Sequence, residues 1–388
     1  MSPKHFDVVI VGGAAIGSSV AYFLSHEPGF AGTVAVIERD PAYARAATTL
    51  SAAAIRQQFS TRENIRMSRF GIEFIKNSVP RFGTGADFSF REGGYLLLAG
   101  ENGRATLEAN HALQVSEGAD IALMNGDALA KKFPWLVLEG VAAGAFGRSG
   151  EGWFDAHSLL ANLRNAARKK GVVYIHGEVA VIKTTGDRAE AVRLLSGETI
   201  ACDVLVNAAG PQAGEVAALA GINLPVEPRK RCVFVVACRA DLAGMPLLVD
   251  TSGVWLRPEG EYFICGVPPP HDPRATDFDV DYPLFDDVVW PALARRIPAM
   301  EKLKLVRAWA GHYDFNSFDQ NAVLGPHPQL KNFIFANGFS GHGLQHAPAG
   351  GRAVAELIVH RRYVALDLSV FRYDRIAAGT PLLERNVI

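Results

Sequence analysis

The feature that most constrains the fold is a glycine turn near the start of the chain, Val11-Gly12-Gly13-Ala14-Ala15-Ile16-Gly17. The apolar run before it, residues 8–11, is typical of a strand buried on both faces of a parallel sheet. Apolar residues at helical spacing follow, and a second apolar strand ends at Glu38, about 20 residues after the last glycine. This order of strand, turn, helix, strand and acid predicts a dinucleotide site, with pyrophosphate at the helix N-terminus and ribose hydroxyls on the acid.

The fingerprint departs from the usual pattern at its second glycine position, where this chain has Ala14. Alanine still allows a close approach of the backbone, with less room than glycine. Glu38 favours FAD or NAD over NADP, because an acid accepts hydrogen bonds from a free ribose hydroxyl, although the neighbouring Arg39 weakens that preference. The alternative is an ordinary strand–helix–strand unit with a glycine turn and no ligand.

Composition narrows the class of protein. The chain has 388 residues, 49% of them hydrophobic and 20% charged, which is enough for two globular domains. A formal net charge of −1 without a basic block argues against nucleic acid or an anionic membrane as the main partner. No His, Cys and Asp cluster has metal-ligand spacing, so we expect no catalytic metal.

The cellular setting follows from three further features. The four cysteines lack CxxC spacing, which indicates reduced thiols. No apolar run reaches the length of a membrane span. The N-terminus enters a strand within a few residues, which leaves no room for a cleavable signal peptide. We therefore expect a cytoplasmic enzyme, with oligomer formation possible.

A second glycine turn lies near the C-terminus. The buried strand Phe333–Ala336 ends in Asn337-Gly338-Phe339-Ser340-Gly341-His342-Gly343-Leu344-Gln345, and a helix is expected from Pro348 to Val359. A simple NAD enzyme does not need this unit. A flavin does, because reduction places negative charge on its ring and a helix N-terminus stabilises that charge. The alternative is a strand and helix that only complete the sheet.

Between the two turns the chain alternates between two kinds of structure. A strand ending in small residues, Cys202–Gly210, belongs with the first forty residues, so the nucleotide domain is discontinuous. Phe88-Ser89-Phe90 and Tyr95–Leu98 are interpreted as strands of another sheet. The strand-rich block Pro225–Gly266 is assigned with them to a second domain that covers the cofactor.

Arg56 is the first candidate for substrate binding. It follows the small apolar stretch Ala52–Ala54, interpreted as helical, where a purely solvated arginine is unexpected. Its guanidinium could hold a carboxylate in a bidentate fork. A structural salt bridge explains it equally well. His312, His342 and His346 also fall near the expected ring, where each is either a functional group or a packed histidine.

The N-terminal fingerprint, residues 203–211 and residues 338–348 together resemble the D-amino-acid-oxidase-like FAD-dependent oxidoreductases over nearly the whole chain. Within that family the chain is most similar to the sarcosine oxidase and dimethylglycine dehydrogenase branch. Residues 55–65 are also similar to the mitochondrial FAD oxidoreductase that assists complex I assembly.

The resemblance implies an α/β fold with a discontinuous, Rossmann-like FAD-binding domain of the glutathione-reductase-like type, formed by residues 1–86, 150–220 and 315–388. It also implies an α+β substrate domain with a mixed, largely antiparallel sheet, formed by residues 87–149 and 221–314.

The activity that the resemblance implies is oxidation of the C–N bond of an amino acid or N-alkyl amino acid. Hydride passes to flavin N5, the imine hydrolyses, and O₂ or another acceptor reoxidises the flavin. One alternative is a dehydrogenase that passes electrons to a quinone or a partner flavoprotein. Another is an assembly-type FAD protein without small-molecule turnover.

The resemblance also assigns site residues. The expected catalytic set is Arg56, Tyr313, His312, Gln345 and Trp255. The expected cofactor-binding set is Gly12, Ala14, Ala15, Ile16, Gly17, Glu38, Arg39, Thr48, Thr49, Ser51, Val179, Ala209, Gly210, Gly311, Gly338, Gly341, His342, Gly343, Leu344 and Gln345.

Three positions depart from the relatives. Gly311 stands where monomeric sarcosine oxidase has its flavin-linking cysteine, and Ser51 where dimethylglycine dehydrogenase has its flavin-linking histidine. Non-covalent FAD is therefore expected. Gln345 replaces the lysine that binds the carboxylate and controls O₂ reactivity in the sarcosine enzyme, which leaves both the substrate and the oxidase assignment open.

Overall fold

The computed structural model describes residues 4–242 and 244–385, which form two large β-sheets with helices packed around them. The strands in chain order are β1 (Lys4–Val11), β2 (Val34–Glu38), β3 (Ala54–Ile55), β4 (Tyr95–Ala99), β5 (Ile121–Met124), β6 (Ala143–Gly147), β7 (Gly152–Trp153), β8 (Val173–His176), β9 (Val179–Thr185), β10 (Arg188–Leu194), β11 (Thr199–Asn207), β12 (Val226–Ala237), β13 (Leu247–Val249), β14 (Trp255–Glu259), β15 (Tyr262–Gly266), β16 (Lys304–Asn316), β17 (Val323–Pro326) and β18 (Phe333–Asn337).

The α-helices are α1 (Ala15–His26), α2 (Arg62–Lys76), α3 (Ser78–Phe82), α4 (Glu101–Ser116), α5 (Gly126–Lys132), α6 (Ala156–Lys169), α7 (Ala213–Ala218), α8 (Tyr282–Leu284), α9 (Trp290–Arg296), α10 (Gly343–His360) and α11 (Asp374–Ala377). A π-helical turn, Phe285–Val289, joins α8 to α9. Single 3₁₀ turns occur at Gly210–Gln212, Pro298–Lys302 and Ser369–Phe371.

The first sheet has the strand order β17-β18-β11-β1-β2-β8, with β10 paired to β11 and β9 to β10. Strand β1 is central and parallel to both β2 and β11. Its last four residues, Val8–Val11, are buried, as expected for a strand covered on both faces. Helices α1 and α10 pack together on one face of this sheet, and their side chains join its core. The two predicted glycine-turn units therefore lie side by side.

The second sheet has the order β16-β12-β15-β14-β13-β4-β6-β5. Its pairs are antiparallel except for β13 with β4, which are parallel. The predicted combination of a Rossmann-like sheet and a mixed, largely antiparallel sheet is thus confirmed. The long strand β16 pairs with β12 along its whole length, and its C-terminal end leads back to the first sheet.

Local structure differs from the sequence-based expectation at three places. Phe88–Phe90 forms no strand, because Ser89 has φ +50° and its N–H bonds to the Asp87 side chain. The stretch before Arg56 is not helical: Ala53 has φ +52°, and β3 pairs with β7 instead. Helix α10 begins at Gly343 rather than Pro348, so the proline lies inside the helix, which loses one backbone hydrogen bond there.

The structure bears on two expectations from the sequence, which concern membrane-spanning segments and the state of the cysteines. Within the described ranges, no helix is both long and apolar enough to cross a membrane. Cys202, Cys232, Cys238 and Cys265 are free thiols, and all but Cys238 are buried.

Candidate functional site

A cavity of about 830 Å³ lies where the two sheets meet, and both glycine turns form part of its wall. Its volume falls within the range of about 300–1,000 Å³ that is usual for ligand and cofactor sites. The first sheet contributes the ends of β1, β2 and β11, and the second sheet contributes Tyr95 of β4 and residues on or next to β12 to β16. One continuous space therefore connects the first forty residues with the C-terminal turn.

The first turn brings backbone close to backbone. Gly12 has φ +97°, and a Cβ there would lie 2.3 Å from the carbonyl oxygen of Ala208. A Cβ on Gly17 would lie 1.8 Å from the carbonyl oxygen of Gly12. Both glycines are therefore required by packing, and together they aim the N-terminus of α1 at the cavity. Ala14 at the N-cap provides no side-chain hydrogen bond, and the hydroxyl of Thr48 accepts from the Ala15 N–H at 3.1 Å.

Glu38 lies at the end of β2 on the same wall. Its Oε2 accepts from the Gly13 N–H and its Oε1 from the Asp40 N–H, each at 2.8 Å. These bonds fix the carboxylate, and each oxygen keeps acceptor capacity for a ribose hydroxyl. Arg39 lies 3.9 Å from Glu178 at the surface. Glu38 is therefore held in position before any ligand arrives.

The second turn is supported from below by Asp314. Its Oδ2 accepts from the Phe339 N–H at 3.0 Å, and its carbonyl oxygen accepts from the Ser340 N–H at 3.1 Å. Burial raises the pKa of the Asp314 carboxyl to about 6. Gly341 has φ +97°, and a Cβ there would lie 2.4 Å from the ring of Tyr313. The turn thus presents bare backbone to the cavity, followed directly by the N-terminus of α10.

Arg56 lies at the cavity wall beside this turn. Its Nε donates to the carbonyl oxygen of Gln58 at 3.2 Å, and its guanidinium lies 4.7 Å from the ring centre of Phe59. Its Nη2 is 3.2 Å from Nε2 of His342. Since a guanidinium only donates, His342 accepts with Nε2. Burial, followed by the nearby Arg56 charge, holds the pKa of His342 well below its usual value, so this histidine is neutral.

Gln345 links the second turn to Arg56. Its side-chain oxygen accepts from the backbone N–H of Arg56 at 2.9 Å, and the residue is buried. The amide is neutral, so the cavity wall carries no second cation at this position. Gln345 therefore fixes the backbone of Arg56 rather than adding charge to the site.

Aromatic side chains form the wall on the side of the second sheet. The Tyr313 ring lies 4.8 Å from the guanidinium of Arg231, which forms a bidentate pair with Asp272. Trp255 packs against Gly266, where a Cβ would lie 3.0 Å from the indole. Tyr95, on β4, also lines the cavity. Within the described chain its hydroxyl has no hydrogen-bond partner, which leaves the hydroxyl available to a ligand.

Two of the predicted histidines have packing partners. Nε2 of His312 lies 2.7 Å from the carbonyl oxygen of Asp277, and its ring packs against Phe278. Burial lowers the pKa of His312, so its ring is neutral and donates this bond. His346 does not line the cavity; it lies 2.9 Å from the Ser68 hydroxyl, and burial lowers its pKa to about 3.

Of the residues in the expected catalytic and cofactor-binding sets, all but three line this cavity. The exceptions are Gly17, Thr49 and Gly338. Thr49 donates its hydroxyl to the carbonyl oxygens of Tyr43 and Ala46 within its own loop. Gly338, with φ +70°, turns the chain beside Val226. These three residues shape the backbone of the site, and their assignment as direct cofactor contacts stays a prediction.

Sequence reasoning missed several residues of the site. The Gly13 N–H, which holds Glu38, lies inside the fingerprint and could have been identified there. Tyr95, Asp314 and Arg231 carry no local signal, because strand pairing alone brings them to the cavity. As to metals, the part of the chain that the structure describes contains no group of three or more His, Cys, Asp or Glu residues arranged to hold an ion.

A family model described as FAD dependent oxidoreductase, the DAO family, matches residues 7–357. The chain belongs to this family. Membership makes FAD its cofactor and redox chemistry its class of reaction, and it confirms the resemblance drawn from the two glycine turns.

The relatives of this chain match it over nearly its whole length. FAD-dependent oxidoreductase domain-containing protein 1 of Xenopus laevis is 43% identical over 100% of this chain and 86% of its own. The glycine oxidase of Geobacillus kaustophilus (strain HTA426) is 29% identical over 96% of this chain and 97% of its own. The crystal structure of L-proline dehydrogenase from P. horikoshii superimposes with a TM-score of 0.87 at 25% identity, covering 98% of this chain and 100% of that one.

The residues of the cavity fit FAD. Neither Ala14 nor His342, the N-cap residues of α1 and α10, provides a side-chain cap, and both helix starts line the cavity. Unpaired N–H groups at a helix start favour negative charge, such as a pyrophosphate or a reduced flavin ring. Glu38 offers oxygens to a ribose, and Gly12 and Gly341 leave room for close approach. The cavity therefore offers chemically suitable groups for a pyrophosphate, a ribose and a flavin ring.

Proposed function

We propose that this DAO family member oxidises the C–N bond of an amino acid or N-alkyl amino acid that carries a single carboxylate. The observation that carries the proposal is Arg56, a half-buried cation at the cavity wall without a carboxylate partner among residues 4–242 and 244–385. A cation in such a position attracts an anionic group of the ligand.

The other arginines of the cavity are less suited to this role. Arg231 is paired with Asp272 in a bidentate salt bridge, and Arg39 lies beside Glu178. Arg45 is exposed and packs over Phe278. Arg56 alone among the cavity-lining arginines combines partial burial with a free guanidinium edge. Its Nε and one Nη have neutral partners, so a carboxylate would meet little competition.

The chain's own residues then orient the substrate. Arg56 would hold the carboxylate, while the aromatic wall of Tyr313 and Trp255 would enclose the apolar part and exclude water. FAD, when bound, would accept a hydride and its two electrons from the substrate carbon. Hydride loss from the neutral amine leaves a protonated imine, which water hydrolyses to a carbonyl compound and a protonated amine or ammonium ion. The names of the related glycine oxidase and L-proline dehydrogenase, both of which denote amino-acid substrates, support this choice.

An anaerobic screen tests the proposal. Amino acids of both chiralities and their N-methyl forms are mixed with purified protein, and loss of the oxidised flavin absorbance is followed. We expect at least one monocarboxylate to bleach the flavin. Arg56→Ala should raise KM for it by about 10- to 100-fold, the loss expected for a charge-assisted hydrogen bond. Arg56→Lys should recover part of the affinity, and Arg104→Ala, an exposed arginine on α4, should leave KM unchanged.

A dehydrogenase is the second candidate, because Gln345 is neutral. A cation near reduced flavin would favour the negative charge that develops during reaction with O₂, and Gln345 provides none. We expect reduced enzyme to reoxidise slowly in air and rapidly with a quinone. Fast reoxidation by O₂ in stopped-flow measurements would instead identify an oxidase.

We further propose that FAD is bound non-covalently. Gly311 has no side chain, and the Ser51 hydroxyl accepts from the Ala53 N–H at 3.0 Å. Neither position offers the thiol or imidazole that would form a flavin linkage. Acid precipitation should therefore release all of the flavin into the supernatant. Flavin remaining in the pellet would contradict this expectation.

A further inference from the structure

Glu151 is a fully buried carboxylate near Arg56 that the proposed reaction does not use. Its relative exposure is 0%. Its Oε1 accepts from the backbone N–H of Gln57 at 2.6 Å, and its Oε2 accepts from the side-chain amide of Gln58 at 2.8 Å. No cation pairs with it in the described ranges. The carboxylate is thus committed to two neighbouring amides of one short segment.

Arg56 directly precedes these two glutamines in the chain and is hydrogen-bonded to one of them. The carbonyl oxygen of Gln58 accepts from Arg56 Nε at 3.2 Å. The Gln57 side chain donates to the Ser149 carbonyl oxygen at 3.0 Å, and the Gln58 amide also reaches the Tyr95 carbonyl oxygen at 3.3 Å. Glu151 therefore sits at the centre of a hydrogen-bonded unit whose outer edge is the Arg56 guanidinium.

Steric constraint fixes the carboxylate within this unit. A Cβ on Gly147 would lie 1.8 Å from Oε2 of Glu151, so the carboxyl occupies space that only glycine leaves open. Such a close fit restricts the carboxylate to one position. Its hydrogen bonds therefore also fix the positions of the two amide groups.

We propose that Glu151 is a positioning residue, which holds the Arg56 guanidinium at the cavity wall through Gln57 and Gln58. This inference rests on the proposed role of Arg56 as the anchor for a ligand carboxylate. Glu151 does not line the cavity, and its effect reaches the site through the backbone that follows Arg56.

Ionisation of Glu151 should make this positioning depend on pH. The ionised carboxyl accepts both amide hydrogen bonds, whereas the protonated form has an O–H in place of one acceptor. Burial raises the pKa of Glu151 to about 7. The charged and titratable groups that face it are Arg56 and Tyr95, and burial raises the pKa of Tyr95, which keeps its hydroxyl neutral. Binding of a carboxylate should therefore strengthen as the pH rises through 7.

Benzoate binding to the holoenzyme tests the inference without requiring turnover. Binding is followed by the change in flavin absorbance between pH 6 and pH 9. We expect Glu151→Gln to raise the Kd of benzoate by about 10-fold at pH 8, because its amide accepts at only one oxygen. FAD content should be unchanged, and the increase of affinity through pH 7 seen in wild type should disappear.

Matched variants separate positioning from a general loss of structure. Arg56→Ala should weaken benzoate binding strongly, and adding Glu151→Gln to it should cause no further loss. Glu92→Gln removes a carboxylate that binds the neighbouring Gly150 N–H at 2.5 Å and should leave benzoate binding unchanged. Should Glu151→Gln not fold, Glu151→Asp keeps the charge and should weaken binding while retaining the pH dependence.

The outcomes distinguish this inference from the proposed function. Benzoate binding that is unaffected by Glu151→Gln, or weakened equally in the Arg56→Ala background, overturns the positioning role. If no amino acid bleaches the flavin but benzoate behaves as expected, the proposed function falls and the inference stands. If the wild type does not bind benzoate at all, the positioning inference falls, whereas the proposed function is still decided by the amino-acid screen.

Discussion

Tyr95 illustrates how a single residue of this site can be tested. Its side chain lines the cavity, and its hydroxyl has no hydrogen-bond partner in the parts of the chain described here. A ligand polar group would satisfy it. Tyr95→Phe should therefore raise KM by about 5-fold, corresponding to about 1 kcal/mol for one neutral hydrogen bond, with little change in flavin content.

A control for Tyr95→Phe comes from Tyr363, whose hydroxyl donates to the Leu324 carbonyl oxygen at 3.1 Å and does not line the cavity. Tyr363→Phe makes the same chemical change and should lower thermal stability slightly while leaving KM alone. Steady-state measurement of KM for both variants shows whether the Tyr95 hydroxyl contributes to ligand binding. An unchanged KM in Tyr95→Phe would mean that the hydroxyl faces water in the complex.

At the scale of elements, the turn that leads into α10 should be the part of the site most sensitive to substitution. Gly341 has φ +97°, and an added Cβ would lie 2.4 Å from the Tyr313 ring. Gly341→Ala must therefore move either the turn or the ring. We expect at least 10-fold weaker FAD binding, measured by titrating apoprotein with FAD and following flavin fluorescence.

Gly83 provides a matched control for this turn. It has φ +99°, and no atom lies within 4 Å of the position of its Cβ. Gly83→Ala therefore tests the effect of a positive φ, at a cost of about 1 kcal/mol, without the steric overlap. FAD binding by this variant should equal that of wild type. Equal losses in the two variants would show that strain, and not contact with Tyr313, controls the turn.

Elements with a strong local signal were predictable from the sequence. The strands β1, β2 and β11 each contain a continuous apolar run, residues 8–11, 34–37 and 204–206, and burial on both faces of a parallel sheet explains that composition. Short elements were not predictable, because tertiary pairing decides them. The stretch before Arg56 became the strand β3 only because β7 lies beside it.

The residues of the candidate site likewise divide into those with a local sequence signal and those that depend on tertiary contacts. Both glycine turns and Glu38 were found because their chemistry is local in sequence. Glu151, Tyr95 and Asp314 were not, because burial and partners from distant strands give them their properties. The domain boundaries and the individual cofactor contacts stay predictions.

For the whole molecule, two buried acids should reduce stability at neutral pH: Asp314, which lines the cavity, and Glu151, which lies near Arg56 outside the lining. Burial raises the pKa of Glu151 from 4.5 to about 7 and that of Asp314 from 3.8 to about 6. A raised folded-state pKa means that the folded protein binds more protons than the unfolded chain between these values. The contribution to stability is therefore fully present below the unfolded pKa and is lost as pH rises through the folded pKa.

Glu151→Gln should reveal this loss, because the variant cannot ionise at this position. Between pH 5 and pH 8.5, the free energy of unfolding of wild type should fall relative to that of the variant by roughly 2–3 kcal/mol. Constant effects of the substitution on packing and hydrogen bonding cancel in this difference. Urea unfolding of both proteins at the two pH values measures it.

Glu92→Gln is the control for this pH dependence. Burial acts to raise the Glu92 pKa, but hydrogen bonds from Lys76 and from the Gly150 N–H outweigh it, and the pKa is lowered. Glu92 is therefore ionised in both folded and unfolded chains above pH 5. Between pH 5 and pH 8.5, the free energy of unfolding of Glu92→Gln should change with pH as that of wild type does. If the difference in free energy of unfolding between wild type and Glu151→Gln is also independent of pH, Glu151 stays ionised at pH 5. Its positioning of Arg56 would then be constant, and benzoate affinity should not change through pH 7.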